Sequence, residues 1–238
     1  MEKVFDMKYV LDAIPHILTG IPVSLSIAAV AFFFGLLLGF IGAMAKLYHI
    51  PVLRQLTVVY VSFVRGTPLV AQIFLIYYGI PVLLRAVNEQ AGTSFDISGI
   101  SSIVFIFVAF SLNAGAYLTE TIRSAILSVN KGQMEAAYSV GMSTFQTMVR
   151  IILPQALKVG LPNIANFFIG LLKDTSLAFV AAVPDIMGEA KIVAGRTSRF
   201  FEAYIVAAVI FWIICVIFEL GIHFVEKQIR RNEKGVAA

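Results

Sequence analysis

The sequence predicts an all-α integral membrane protein with five transmembrane helices, and three observations carry that prediction. Hydrophobic residues fill 59% of the 238 positions and charged residues 13%, against roughly 45–50% and about 25% in soluble domains. Five separate runs stay apolar for about 20 residues, the length that crosses a hydrocarbon core about 30 Å thick. The stretches between them are too short to build a core of their own, so residues 1–238 read as a single membrane domain. Helices are the economical form for each crossing, because a backbone in lipid must satisfy its polar groups within the segment.

The runs cover residues 21–45, 56–84, 100–118, 161–183 and 204–225. Residues 1–16 mix Glu2, Lys3, Asp6, Lys8 and Asp12 with apolar positions and lack the basic, apolar, small-residue order of a cleaved signal. The first span is therefore expected to stay in the mature protein. It carries Gly35, Gly39 and Gly42, a spacing that lets helices approach closely in lipid. Packing inside the subunit and a dimer contact are both open to it.

The second run, 56–84, is too long for one straight crossing: at roughly 1.5 Å per residue it overshoots the core by over ~10 Å. Arg65-Gly66-Thr67-Pro68 lies within it, and Pro68 removes a donor and disfavours helical geometry at Thr67. A bend or break is expected there. The alternative is a short interfacial helix at 56–64, with Arg65 snorkelling to the surface.

Five crossings put the termini on opposite sides, and the basic residues decide which is inside. With a cytoplasmic C-terminus the inner set is Lys46, Arg54, Arg123, Lys131, Arg150, Lys158, Lys227, Arg230, Arg231 and Lys234. The outer set is the shorter one: Lys3, Lys8, Arg85, Lys191, Arg196 and Arg199. The N-terminus is expected outside and the C-terminus in the cytoplasm, with the basic tail against the inner leaflet. A net charge of +4 is thereby accounted for by topology, and nucleic acid is not expected as a partner.

Between the third and fourth runs, in the loop at about 124–154, stands Gly132-Gln133-Met134-Glu135-Ala136-Ala137, then Gly141, then Ile151-Ile152-Leu153-Pro154. Ala136 and Ala137 favour a short helix of little bulk, Glu135 would bring negative charge near its N-terminus, and Gly141 can end it in a left-handed conformation. Pro154 would sit just before the next span, where a missing N–H is tolerated. Glu-Ala-Ala, three residues, Gly, nine residues and Ile-x-Leu-Pro resembles the EAA motif of ABC-importer permeases in every fixed position and both spacings.

The likeness extends to Arg65-Gly66-Thr67-Pro68-Leu69, Ala116-Tyr117-Leu118-Thr119-Glu120-Thr121, Leu153-Pro154-Gln155-Ala156 and Lys173-Asp174-Thr175-Ser176-Leu177. These are similar to the polar amino acid branch of that family, which carries histidine, glutamine, arginine or cystine, over roughly residues 20 to 225. Ile76-Tyr77-Tyr78-Gly79-Ile80-Pro81 and Ser111-Leu112-Asn113 are similar to cystine permeases within the branch.

The resemblance implies a type I permease core in the bacterial cytoplasmic membrane, with a cytoplasmic coupling helix. Glu135, Ala136, Ala137, Gly141 and Pro154 are the ATPase-coupling candidates. It further implies two ATPase subunits that bind ATP and Mg, a second permease copy forming a homodimer, and an extracellular or periplasmic amino-acid-binding protein. ATP binding would close the ATPase pair, move the docked helices and re-orient the spans above them.

The chain itself carries no Gly-x-x-x-x-Gly-Lys-Ser/Thr segment, no HExxH and no Ser/His/Asp set, so no catalysis and no metal is expected of it. Cys215, the single cysteine, excludes an intrachain disulfide. A secondary transporter working without an ATPase is the rival reading, and would usually show inverted repeats.

Ionisable groups at membrane depth are expensive and point to function. Lys173 and Asp174, expected midway through the fourth span, would lie about 100° apart on a helix and so do not pair with each other. A cation and an anion together suit a zwitterionic amino acid. With Thr175 and Ser176 they form the leading substrate-pathway set, to which Asn113, Glu120 and Arg65 are candidate additions. Glu120 can instead pair with Arg123, Arg65 can act as an interfacial anchor, and Glu219 suits a bond between helices.

Overall fold

The computed structural model describes residues 5–94 and 99–236, with side chains described as far as Gln228. In chain order the helices are α1 (Met7–Leu18), α2 (Ile21–Leu47), α3 (Pro51–Gly66), α4 (Leu69–Ala91), α5 (Ser102–Leu127), α6 (Lys131–Ser139), α7 (Thr144–Thr147), α8 (Leu153–Asp174), α9 (Ile186–Thr197) and α10 (Phe200–Val236). A π-helical turn at Met148–Ile152 joins α7 to α8, and a 3-10 segment at Thr175–Ala181 extends α8. Five stretches are long and apolar enough to cross a bilayer: Ile21–Leu47, Leu69–Ala91, Ser102–Leu127, Thr144–Ala181 and Phe200–Gln228. The side chains of Lys3, Arg230, Arg231 and Lys234, counted in the charge argument, lie outside the described residues.

The core is the seam between α2 and α5, made by glycine. A methyl group on Gly35 would lie 2.6 Å from the Ala114 Cβ, and one on Gly39 2.8 Å from the Leu118 Cβ. One on Gly42 would lie 2.7 Å from the Thr119 hydroxyl. In lipid, where apolar side chains gain little by leaving one apolar solvent for another, such close approach is what binds helices. The glycine stripe of the first span is thus used within the subunit. Positions rise together along the seam, so α2 and α5 run parallel.

The expected break is present. Thr67 and Pro68 are extended, at φ −123°, ψ 148° and φ −64°, ψ 140°. Both halves still follow α5: Gly42 and Thr57 meet near Thr119, the Tyr60 hydroxyl donates to the Leu112 carbonyl, and the Tyr77 and Phe105 rings meet edge to face at 5.7 Å. Sequence numbers rise on one side as they fall on the other. The two halves therefore make one interrupted crossing, antiparallel to α5. The end of α3 is not an isolated surface helix, since Val61 and Val64 are buried with Ala116.

The α8 rod also runs antiparallel to α5, with Gly160 against Ala125 and the Phe167 ring stacked on Tyr117 at 6.0 Å. In turn α10 runs antiparallel to α8, since Phe168 meets Phe218 at 5.2 Å while Lys173, further along α8, acts on Cys215, earlier in α10. At the opposite face from α6, α1 and α9 cap the start of α10 through Ala13, Ile17, Ala190, Ala194 and Ala203. The result is five crossings, with the α1 end and the C-terminal end on opposite faces.

Two boundaries differ from expectation. The third span runs on to Leu127, about two and a half turns beyond Leu118, because Ala125 and Ile126 are buried against α8 and the π turn. The fourth does not begin near residue 161. It is continuous from Thr144, so Pro154 lies inside a helical rod and not at its mouth. The π turn is the reason this is tolerated: Leu153 N–H reaches back five residues to the Met148 carbonyl. That wider turn relaxes the ladder just where Pro154 cannot donate.

Candidate coupling helix and translocation face

The motif between the third and fourth spans folds as a self-contained helix. Asn130 caps it by accepting from the Gly132 N–H at 2.8 Å. Its far end closes with Met142 N–H on the Ala137 carbonyl at 3.1 Å and Gly141 N–H on the Tyr138 carbonyl at 3.0 Å. These two bonds are the Schellman pattern, and they require a left-handed residue, supplied by Gly141 at φ +80°. Six positions, Asn130, Gly132, Ala137, Tyr138, Gly141 and Met142, are thereby tied to one shape.

Glu135 does not sit in the first turn as expected. The helix starts at Lys131 and has no acidic residue in its opening turn, so Asn130 does the capping and the Glu135 side chain stands exposed. Ala137 turns inward and Ala136 outward. Ser143 then opens the following helix through a capping box with Gln146, in which the two residues exchange bonds of 3.0 and 3.3 Å. The Ser-x-x-Gln spacing was legible in the sequence, although the residues were not singled out there.

Val140 and Phe145, at 77% and 76% exposed, flank Gly141 and are the most exposed large apolar side chains among the described residues. Val140 stands between α6 and α7, before any span, and Phe145 stands in the first turn of the rod that begins at Thr144.

The break before α4 is sealed by Gln72, which sequence reasoning passed over. Its amide donates to the Val64 carbonyl at 2.7 Å, the Thr67 carbonyl at 3.0 Å and the Thr67 hydroxyl at 2.9 Å. Its own oxygen accepts from Asn113 Nδ2 at 3.0 Å. Asn113 is thus 7% exposed and tied into the break. Arg65, on the last turn of α3, is exposed with its guanidinium 5.5 Å over the Tyr117 ring. Since Tyr117 stacks on Phe167, Arg65, Tyr117 and Phe167 form one continuous flank of α3, α5 and α8.

Asp174 follows Phe167 by seven residues, two helical turns, and so shares that flank. Lys173 acts electrostatically both on its neighbour Asp174 and, with Glu219, on Cys215 of α10. Lys173 and Asp174 sit beside the middle of α10 in depth, but at the point where α8 gives way to the 3-10 segment, not within an unbroken helix. Both side chains are exposed. Thr175 instead turns into the core, its hydroxyl donating to the Leu172 carbonyl at 2.7 Å, while Ser176 is half-buried.

Glu120 lies away from this flank, in an ion cluster. It accepts from Lys46 of α2 and from Arg123 Nε at 3.1 Å, so it clamps the ends of the two parallel helices. Three groups at membrane depth are therefore engaged within the subunit, and Arg65, Asp174 and Lys173 stand on open surfaces. Among the described residues no group of His, Cys, Asp and Glu could hold a metal ion.

Comparison with known proteins fits this arrangement. Residues 35–231 match the family of binding-protein-dependent transport system inner membrane components. The chain is 38% identical to the L-cystine transport system permease protein TcyL of Bacillus subtilis, covering 98% of this chain and 95% of that one. It is 40% identical to the probable amino-acid ABC transporter permease protein PatM of Vibrio harveyi, over 90% and 91%. A solved amino acid ABC transporter with histidines superposes with a TM-score of 0.82 at 30% identity, over 95% of this chain and all of that one. The chain therefore belongs to the binding-protein-dependent transport inner-membrane family, in its amino-acid ABC permease branch, and is a multi-pass protein of the bacterial cytoplasmic membrane.

Proposed function

We propose that the protein is the translocating subunit of an ATP-driven importer of polar amino acids, with cystine its substrate. The observation that carries the reading is α6: an exposed, doubly capped helix ended by Gly141 at φ +80°, held between two spans on the face where the C-terminus emerges. A helix of nine residues is too short to be stable alone and gains nothing by standing in solvent. As the knob received by a separate ATPase it has a use. Glu135 and Ala136 present its polar and small surfaces, and the exposed Val140 and Phe145 widen the contact with apolar area that a partner would cover. The α6 face is then cytoplasmic and the α1 face external, in line with the basic-residue count.

The rigid joint matters to the mechanism. The π turn and a 3.5 Å bond from the Gln155 amide to the Gln133 side-chain oxygen join α6 to α8, so displacement of α6 moves the flank that carries Phe167 and Asp174. Arg65 and Asp174 offer a cation and an anion for the carboxylate and ammonium of an amino acid, with Lys173 and Ser176 beside them. Asn113 serves this face indirectly, through Gln72 and the break that sets Arg65. Five helices leave that flank open, and a second copy of the chain closes it. ATP and Mg belong to the two ATPase subunits, and a binding protein delivers substrate from outside. Cystine is favoured by the similarity to TcyL, whose name carries that substrate, and by the Ile76–Pro81 and Ser111–Asn113 strings.

The test is reconstitution of the permease with its ATPase and binding protein in vesicles. Labelled cystine should enter only with ATP, and excess unlabelled cystine should compete better than glutamine, arginine or histidine. Better competition by one of the others would reassign the substrate; uptake without the ATPase would overturn the coupling role.

A further inference from the structure

Two cavities on the α6 side share one wall. The first, of about 270 Å³, lies between the ends of α2 and α5, α6 and the π turn. Its floor is Thr147, Ile152 and Ile126, at 1%, 2% and 6% exposed, and its rim carries the Tyr48 and Tyr138 phenols and Lys131. The Thr147 hydroxyl is buried with no hydrogen-bond partner among the described residues, and such groups in folded proteins call for an explanation. Lys131 makes no ion pair among the described residues, while the neighbouring cations Lys46 and Arg123 are taken up by Glu120.

The second cavity, of about 260 Å³, is a groove between α2, α5 and α8, lined by Leu36, Phe40, Ile122, Leu157 and Ile164 among others and by no polar side chain. Ile126 lines both. A polar-ended pocket thus lies beside an apolar trench that extends toward the bilayer centre, with Ile126 between them. Tyrosine and lysine at the pocket end are the residues that sit at headgroup level, and the π turn that shapes its floor is a feature common at functional sites.

We propose that this trench binds one anionic phospholipid, its headgroup against Lys131, Tyr48, Tyr138 and Thr147 and one acyl chain along the groove. A single charged end and a long apolar tail match the two cavities in order. The second copy of the chain could cover the groove with a helix, but it would leave Lys131 and Thr147 unmet. Because the pocket is walled by both α6 and the ends of α2 and α5, the lipid ties the coupling helix to the spans.

The whole transporter, permease with its ATPase, is purified into nanodiscs of phosphatidylcholine with graded phosphatidylglycerol, then stripped with mild detergent and weighed by native mass spectrometry. The wild type is expected to retain phosphatidylglycerol at least tenfold over phosphatidylcholine. Lys131→Gln should lose the headgroup preference about tenfold, and Leu157→Trp should lose retention of both lipids. Both positions are exposed, and size-exclusion elution confirms assembly of each variant. Equal retention of the two lipids by the wild type, or wild-type retention in both variants, overturns the proposal. So does a disulfide between cysteines placed at Phe40 of one copy and Leu157 of the other, which would show a second copy in the groove. ATP-dependent uptake by the same variants is measured in sealed vesicles, so loss of lipid with uptake retained bears on the lipid site alone.

Discussion

Gln72→Leu keeps the bulk of the side chain and removes the amide that seals the break between α3 and α4. The Val64 carbonyl and the Asn113 amide, both on residues under 10% exposed, lose their partner. Each such buried group left unpaired carries about 1–3 kcal/mol, so the single variant should lose about 2–6 kcal/mol. Asn113→Leu alone leaves only the Gln72 oxygen unpaired and should lose about 1–3 kcal/mol. In the double variant the Asn113 amide and the Gln72 oxygen are both gone and only the Val64 carbonyl is left unpaired, so the loss should fall short of the sum by about 2–6 kcal/mol. Denaturant unfolding of the purified transporter, followed by circular dichroism, measures all three. Uptake should fall in parallel, because Arg65 and Tyr117 are set by the same break. If the double variant lost the full sum of the singles, Gln72 and Asn113 would not be coupled and the sealing role would be refuted.

Gly35→Leu should prevent folding in the membrane, since even a methyl group would lie 2.6 Å from the Ala114 Cβ; normal protease resistance of that variant would count against the seam. Gly141→Val meets no atom within 4 Å but must hold φ +80°, which costs an L residue about 1–2 kcal/mol. The subunit should therefore insert normally while ATP-driven uptake drops severalfold, and unchanged uptake would dismiss the docking role. Burial pushes the Asp185 carboxyl, which caps α9 by accepting from the Gly188 N–H at 2.9 Å, up from 3.8 to about 6. A raised folded value means the stabilisation is fully present below about pH 4 and is lost as pH rises through 6, by at most ~3 kcal/mol. Asp185→Asn keeps the cap and should flatten the unfolding midpoint between pH 4 and 6; a slope that survives the substitution would place the titration elsewhere.

Much of this protein was legible from composition and local order. Five spans, the interruption at Thr67-Pro68 and the left-handed Gly141 follow from hydropathy, from the chemistry of proline and from a motif whose spacing is local. A bilayer imposes a length on apolar runs, and a helix end imposes a residue on its cap, so neither needs knowledge of distant contacts.

The partners of the polar groups were not legible, because they depend on which helix faces come together. Glu120 could be paired with Arg123 from sequence, but Lys46, 74 positions away, joins it only through the parallel α2–α5 seam. Asn113 is drawn to Gln72 across 41 positions, and Thr175 is turned inward while Asp174 faces out. Pro154 inside a continuous rod is accompanied by the π turn at Met148–Ile152, which no residue pattern announces. Sequence alone determined that the chain crosses a membrane five times and offers a capped helix between the third and fourth crossings, since those are properties of single segments. Which charges are clamped inside the subunit and which stand open was decided by tertiary structure alone, because in lipid a polar side chain takes whatever partner the packing of small residues brings within reach.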